Sequence, residues 1–269
     1  MENKIKWFFD PFPYAIVDNY LPQNIFQNLI NEIDNNKYEK QKTFSTKFEK
    51  KTIFKDSYMN ENVKNLVKEM GSQKMKGLIG QIISSKEILS MWEVNKYGGY
   101  SPYHVTENNG FLGSHIDHSF IENGKYSHVA NTIFYASRSW QFGWGGETIL
   151  FSKNGLKQKV LIDPIPNRLI IFVHSANSFH GVSIYNSDLN VERRTFYHDY
   201  YVKKDEIKAV MAKVNLDRKR NLKYSTHGTT FVPFIPFGIK CIKLKKLLSL
   251  KNFKYLPTYF LYYLNLLFI

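Results

Sequence analysis

Residues 113–117, Gly113-Ser114-His115-Ile116-Asp117, decide how this chain is read. In an extended strand, residues i and i+2 point to the same face. His115 and Asp117 therefore present an imidazole and a carboxylate side by side. Alone the pair is weak, because either residue serves equally well as a structural core group. Its surroundings give it meaning. From Ile88 onward the chain becomes a series of short apolar or alternating runs: 88–97, 111–117, 130–136, 147–151, 158–162, 168–173, 180–184 and 193–202. Between them stand turn residues such as Asn108-Asn109-Gly110, Glu122-Asn123-Gly124, Lys153-Asn154-Gly155 and Asp163-Pro164. Eight short strands at this spacing predict a sandwich or barrel of the jelly-roll kind.

Three features follow the pair in order along the chain. The first is Trp140-Gln141-Phe142-Gly143-Trp144-Gly145-Gly146-Glu147-Thr148, where paired glycines suit a tight turn before a strand. The second is His180, in Ser178-Phe179-His180-Gly181-Val182, just after the apolar run Leu169-Ile170-Ile171-Phe172-Val173. Two histidines and one carboxylate on one face of an octahedral metal leave three positions open. That is the ligand set of non-haem Fe(II) centres that take a bidentate co-substrate and dioxygen. The third is Glu192-Arg193-Arg194-Thr195-Phe196-Tyr197. An arginine facing the interior of the barrel can hold a carboxylate by paired hydrogen bonds, and Thr195, two residues after Arg193, shares its face. Each feature also has a plain structural explanation: a hairpin, a core histidine, a surface arginine pair.

Taken together, residues from about Trp7 to Tyr201 resemble the 2-oxoglutarate/Fe(II) oxygenases of the prolyl-4-hydroxylase type. The opening Pro11-Phe12-Pro13-Tyr14-Ala15-Ile16-Val17-Asp18-Asn19-Tyr20-Leu21-Pro22 is similar to that family's N-terminal strand-to-helix passage. His115-Ile116-Asp117 matches its H-x-D, and His180-Gly181-Val182 its distal histidine. Phe134-Tyr135-Ala136-Ser137-Arg138-Ser139-Trp140, leading to Trp144-Gly145-Gly146-Glu147, is similar to its segment ending in Gly-Gly-Glu. The resemblance implies a double-stranded β-helix and His115, Asp117 and His180 as metal ligands. It implies Fe(II), with 2-oxoglutarate and O2 as co-substrates, and hydroxylation of a substrate with release of succinate and CO2. Arg193, followed by Thr195, fits the family's arginine-x-Ser/Thr pattern for 2-oxoglutarate, with Arg194 as the competing choice. Arg193 lies thirteen residues after the distal histidine rather than about ten, so a longer turn through Asn186-Ser187-Asp188 is required. Tyr135 is either a second contact to the co-substrate or one more core tyrosine.

The expected fold is thus α+β, mainly β: a jelly roll with N-terminal supporting helices and a basic, partly helical C-terminal extension. The division is residues 1–202 as an oxygenase domain (helical support 1–87, jelly-roll core 88–202) and 203–269 as the extension. Ahead of the core, Ile25, Phe26, Leu29, Ile30 and Ile33 recur at helical spacing, as do Val63, Leu66, Val67 and Met70, and then Met75, Leu78, Ile79, Ile82 and Ile83. The lysine-rich segment 37–55 reads as a loop or irregular edge. His104, His118, His128, His174, His198 and His227 read as structural. His118 should face away from the pair by strand alternation, and His174 is the substitute if His180 is not a ligand. Glu147 either supports the site or caps a strand.

With 269 residues, 43% of them hydrophobic, the chain can bury a large core. A single cysteine, Cys241, excludes an intramolecular disulfide. There is no signal-peptide pattern and no run of 18 apolar residues, so the expected location is cytoplasmic, with peripheral membrane contact as an alternative. The net charge of +14 is uneven: residues 203–269 hold 14 Lys and Arg against 3 Asp and Glu. Lys240, Lys243, Lys245, Lys246, Lys251 and Lys254 precede the uncharged stretch 256–269. That tail either packs on the core or meets an anionic membrane surface; binding to nucleic acid is a weaker alternative. The substrate is not legible. Segments 97–109 and 119–127 are expected to choose it, among peptidyl proline, amino acids and sugar- or lipid-linked groups. An inactive jelly roll that merely binds metal is the rival outside enzymology.

Overall fold

The computed structural model describes residues 5–46, 49–55, 60–94, 102–218 and 229–232. These residues form fifteen strands: β1 (Trp7–Phe8), β2 (Tyr14–Val17), β3 (Lys40–Ser45), β4 (Glu49–Phe54), β5 (Leu89–Ser90), β6 (Tyr103–Thr106), β7 (Gly110–Ile116), β8 (Phe120–Ile121), β9 (Tyr126–Tyr135), β10 (Thr148–Phe151), β11 (Gln158–Ile162), β12 (Leu169–Val173), β13 (His180–Tyr185), β14 (Arg193–Lys203) and β15 (Thr230–Phe231). Every pairing is antiparallel, in the order β1-β2-β12-β9-β14-β6-β4-β7-β13-β10-β11. A cavity of about 370 Å³ is lined from β12, β9, β14 and β6 on one side and from β7, β13 and β10 on the other. The sheet therefore curls around it as a jelly roll, and β4, paired to both β6 and β7, joins the two halves.

Among the described residues five α-helices accompany the sheet: α1 (Gln23–Asn35), α2 (Glu61–Met70), α3 (Gln73–Ile83), α4 (Met91–Val94) and α5 (Ile207–Arg218). The first three form where helical spacing predicts them. Phe26, Leu29, Ile30 and Ile33 of α1 are buried, as are Val63, Leu66, Val67 and Met70 of α2. They share one core with Phe134 of β9 and Phe196 and Tyr200 of β14. Burying each such side chain is worth roughly 1.5–3 kcal/mol. Glu32 of α1 accepts backbone N–H groups from Asn62 and Val63 at 3.0 Å and so caps α2. Period two then divides β14. Phe196 and Tyr200 face the helices, while Arg193, Thr195, Tyr197 and Asp199 line the cavity.

One expectation is narrowed and another corrected. Of the two readings of segment 37–55, the irregular edge holds and the loop does not: β3 pairs with β4 at the sheet edge, with a register shift between Lys40 and Lys42. Its lysines misled because β3 is an edge strand: Lys42 Nζ lies 4.3 Å from the Phe44 ring centre, so its charged end reaches outward along an apolar stem. Segment 88–97 is not one strand. After β5 the chain turns into α4, because Ser90-Met91-Trp92-Glu93 is a capping box: Glu93 accepts the Ser90 N–H at 2.6 Å and pairs with Lys76 at 2.7 Å. Strands β1 to β4 bring the first 87 residues into the sheet, and β15 adds residues from beyond 203. Among the described residues no helix is long and apolar enough to cross a membrane. His227, Cys241, the lysines from 240 to 254 and the apolar stretch 256–269 lie outside the described residues.

Candidate active site

His115 and His180 are direct partners across the β7–β13 pairing. A bulge between Leu112 and His115 sets that register. Their rings lie 4.3 Å apart at 48°. The Nδ1 of His115 is 2.9 Å from the carbonyl of Gly113, and the Nδ1 of His180 is 3.0 Å from that of Ser178. A carbonyl only accepts, so each Nδ1 carries the proton and each Nε2 keeps its lone pair. Both Nε2 atoms then meet Asp117, at 3.3 Å from Oδ1 and 3.3 Å from Oδ2 respectively. One donor atom from each of the three residues lies within 4.8 Å of the others. Lone pairs facing a carboxylate at this distance call for a cation between them, and two imidazoles with one carboxylate suit a divalent transition metal.

Electrostatics agree. Burial opposes the charge on Asp117, but the adjacent His180 and His115 outweigh it and hold the carboxyl well below its usual range. Burial and the neighbouring His180 push His115 down. Burial works against protonation of His180 too, yet Asp117 draws it up.

A second polar group lies two residues along the sheet. Thr148 pairs with Val182 on β13, and the next but one residue, Leu150, pairs with His180. The buried Arg193 donates from Nε to the Gly146 carbonyl at 2.7 Å and from Nη2 to Thr148 Oγ1 at 3.3 Å. It forms no salt bridge among the described residues, although it lines the cavity. A buried cation without a counterion fits an anionic ligand. Arg194 faces the other way, to Asp34 and Glu192. Thr195 lines the cavity beside Arg193. Tyr135 is completely buried, its ring centre 5.3 Å from the guanidinium carbon, and its hydroxyl is 2.6 Å from Thr148 Oγ1. The glycine pair has a steric purpose. Gly146, at φ +77°, leaves so little room that a Cβ would lie 2.9 Å from Arg193 Cδ. Glu147 accepts a hydrogen bond from Ser183 Oγ and so ties the start of β10 to β13.

His118 departs from its expected orientation. Strand β7 ends at Ile116, so alternation no longer governs residue 118. His118 lines the cavity, bonds Tyr201 at 3.0 Å and stacks on His128. With Asp199, His118 and His128 form a second histidine–carboxylate cluster. His174 belongs with that group, stacked 4.3 Å from His128. Sequence reading also passed over Asn131, Asp199 and Phe231, which line the cavity. The first two carry a signal that was there to be used: Asp199 is in phase with Arg193, Thr195 and Tyr197, and Asn131 with Ile133. Phe231 of β15 pairs with His115 and stacks on its ring at 5.1 Å. Of the segments expected to select substrate, 97–109 contains β6 and 119–127 contains β8.

No curated protein matches the chain in sequence. Among solved structures it is similar to a prolyl-4-hydroxylase from Pseudomonas putida, with 15% identity over 71% of this chain and 92% of that one and a TM-score of 0.50. It is also similar to the viral collagen prolyl hydroxylase of Paramecium Bursaria Chlorella virus-1 (16% identity, 72% and 98% covered, TM-score 0.47). A third is SnoN, a non-haem 2-oxoglutarate-dependent epimerase from nogalamycin biosynthesis (11% identity, 71% and 77% covered, TM-score 0.48). The likeness to the Pseudomonas protein is one of fold. Residues 93–198 match the 2OG-Fe(II) oxygenase superfamily, and this stretch contains all six site residues read from the sequence. Residues 93–198, less than half of the chain, are thus similar to the 2OG-Fe(II) oxygenase superfamily, whose chemistry uses Fe(II), 2-oxoglutarate and dioxygen.

Proposed function

We propose that His115 and His180, through Nε2, and Asp117, through its carboxylate, hold Fe(II), and that Arg193 binds the distal carboxylate of 2-oxoglutarate. The observation that carries this reading is the pinning of both Nδ1 atoms to backbone carbonyls, which turns both Nε2 lone pairs toward one carboxylate. When bound, the iron and its co-substrate supply the oxidising power that hydroxylates an unactivated C–H bond, with release of succinate and CO2. The protein's residues orient and exclude. Arg193 gives a charge-assisted grip, Thr195 adds a hydroxyl on the same face, and Tyr135 backs the guanidinium through Thr148. Phe231, stacked on His115, shields one side of that ring from water. The oxygenase unit is residues 1–202, and the extension 203–269 returns β15 to β7.

The substrate class is peptidyl proline, an amino acid or a sugar- or lipid-linked group. Succinate formation across a panel of peptides, amino acids, glycans and nucleic acids, with Fe(II), 2-oxoglutarate and O2 supplied, tests the proposal. Substrate-dependent succinate is the expected result. Stoichiometric Fe(II) binding with no turnover of 2-oxoglutarate under any condition would contradict it and leave a metal-binding jelly roll.

A further inference from the structure

The second histidine–carboxylate cluster reads at first as another metal site, but His128 argues against that. Its Nδ1 lies 2.9 Å from the His118 carbonyl and its Nε2 3.0 Å from the Ala130 carbonyl, so backbone oxygens already occupy both nitrogens. Next to this cluster stands Asn131. It is opposite Asp199 in the β9–β14 register and lines the cavity. Its Nδ2 donates to Asp199 Oδ1 at 2.8 Å and to Asp117 Oδ2 at 3.1 Å. Carboxyl oxygens at both positions settle which way round the amide lies. Asp199 is itself held by the Tyr201 hydroxyl, 3.4 Å from Oδ2. Among the described residues Asn131 Oδ1 is buried and meets no donor, which leaves it to a ligand's N–H or O–H.

We propose that Asn131 is a positioning residue for Asp117: one amide hydrogen fixes the carboxylate of this ligand, and the other is anchored on Asp199, which Tyr201 holds in place. This rests on the reading of Asp117 as a metal ligand. Two N–H groups of one rigid amide cannot move independently, so Asp199 and Asp117 are mechanically joined across the β9–β14 pair. Outer partners of metal ligands act by fixing ligand orientation, and their removal costs about 10–100-fold in metal affinity.

The test is a titration of the full chain with Co(II) alone, followed by its visible absorption; sites of this kind bind Co(II) more tightly than Fe(II). Asn131→Leu should weaken binding by about 10–100-fold. Asn131→Thr, whose single hydroxyl can serve only one carboxyl, should fall between it and wild type, and it keeps the test open if Asn131→Leu does not fold. Asp199→Leu should weaken binding as well. In an Asp117→Ala background, Asn131→Leu should cost nothing further, a result that a merely structural role would not produce. Unchanged affinity in Asn131→Leu or Asn131→Thr beside a weakened Asp117→Ala would overturn the inference alone. So would an equal loss from Asn131→Leu with and without Asp117. Wild-type binding by Asp117→Ala would instead overturn the ligand reading, and the inference with it.

Discussion

Two groups of histidines lie close together, and the ring nitrogens of His115 and His180 differ in their fate from those of His128. His115 and His180 each give Nδ1 to the carbonyl two residues earlier in the chain and keep Nε2 for the cavity. His128 has both nitrogens against carbonyls and its ring stacked between His118 and His174. His115, His180 and His128 are alike in residue type and burial. What separates His128 from His115 and His180 is how many ring nitrogens face backbone carbonyls: with one, the other nitrogen is free to meet a ligand, and with two the ring is a packing element.

Substitutions can break this contrast. The largest effect is expected from His115→Ala, Asp117→Ala and His180→Ala, each reducing Fe(II)-dependent 2-oxoglutarate decarboxylation below detection while far-UV circular dichroism keeps the strand signal. His174→Ala should retain turnover. Full activity in His180→Ala would move the ligand to the other group.

Next in size is the contrast between the two arginines. Arg193→Ala should raise the KM for 2-oxoglutarate by roughly 10–100-fold, the value of a charge-assisted hydrogen-bond pair. Arg194→Ala should change it by less than about 2-fold and instead lose a partly exposed ion pair with Asp34. Steady-state kinetics on both variants would show the reverse pattern if β14 were out of register by one residue.

Two glycines sharpen the same point. Gly146→Ala should cost about 1–3 kcal/mol in urea unfolding and raise the KM, since its Cβ meets Tyr185 Cδ2 at 2.8 Å and Arg193 Cδ at 2.9 Å. Gly143→Ala has φ +95° but nothing within 4 Å, so it should cost only about 1 kcal/mol of backbone strain and leave the KM unchanged.

The smallest effect concerns pH. Burial opposes the charge on Asp34, but hydrogen bonds from Arg194 and Arg138 prevail and hold its carboxyl below the usual range. A depressed folded pKa adds stability that is fully present above the unfolded value of 3.8 and is lost as pH falls through the folded one. Thermal melts below about pH 4 should therefore show a shallower loss for Asp34→Asn than for wild type; parallel curves would remove Asp34 from the acid transition.

Much of this was legible beforehand because period two is a strong signal. It placed Arg193 and Thr195 on the cavity face, and helical spacing placed α1 to α3. The signal failed where other forces set the local structure. A capping box at Ser90 and Glu93 overrode an apolar run. An edge strand rich in lysine left loop and irregular edge unseparated, because its charged residues hide the alternation. The end of β7 at Ile116 freed His118 from alternation. The docking of Phe231 on His115 joins residues 116 positions apart, and no local pattern announces such a contact.

The two histidine groups can be told apart in one experiment: anomalous diffraction at the iron edge from crystals of the full chain grown anaerobically with Fe(II). A single peak bounded by His115 Nε2, His180 Nε2 and the Asp117 carboxylate is expected. A peak at His118, His128 and Asp199, or none at either group, would contradict the assignment of the metal.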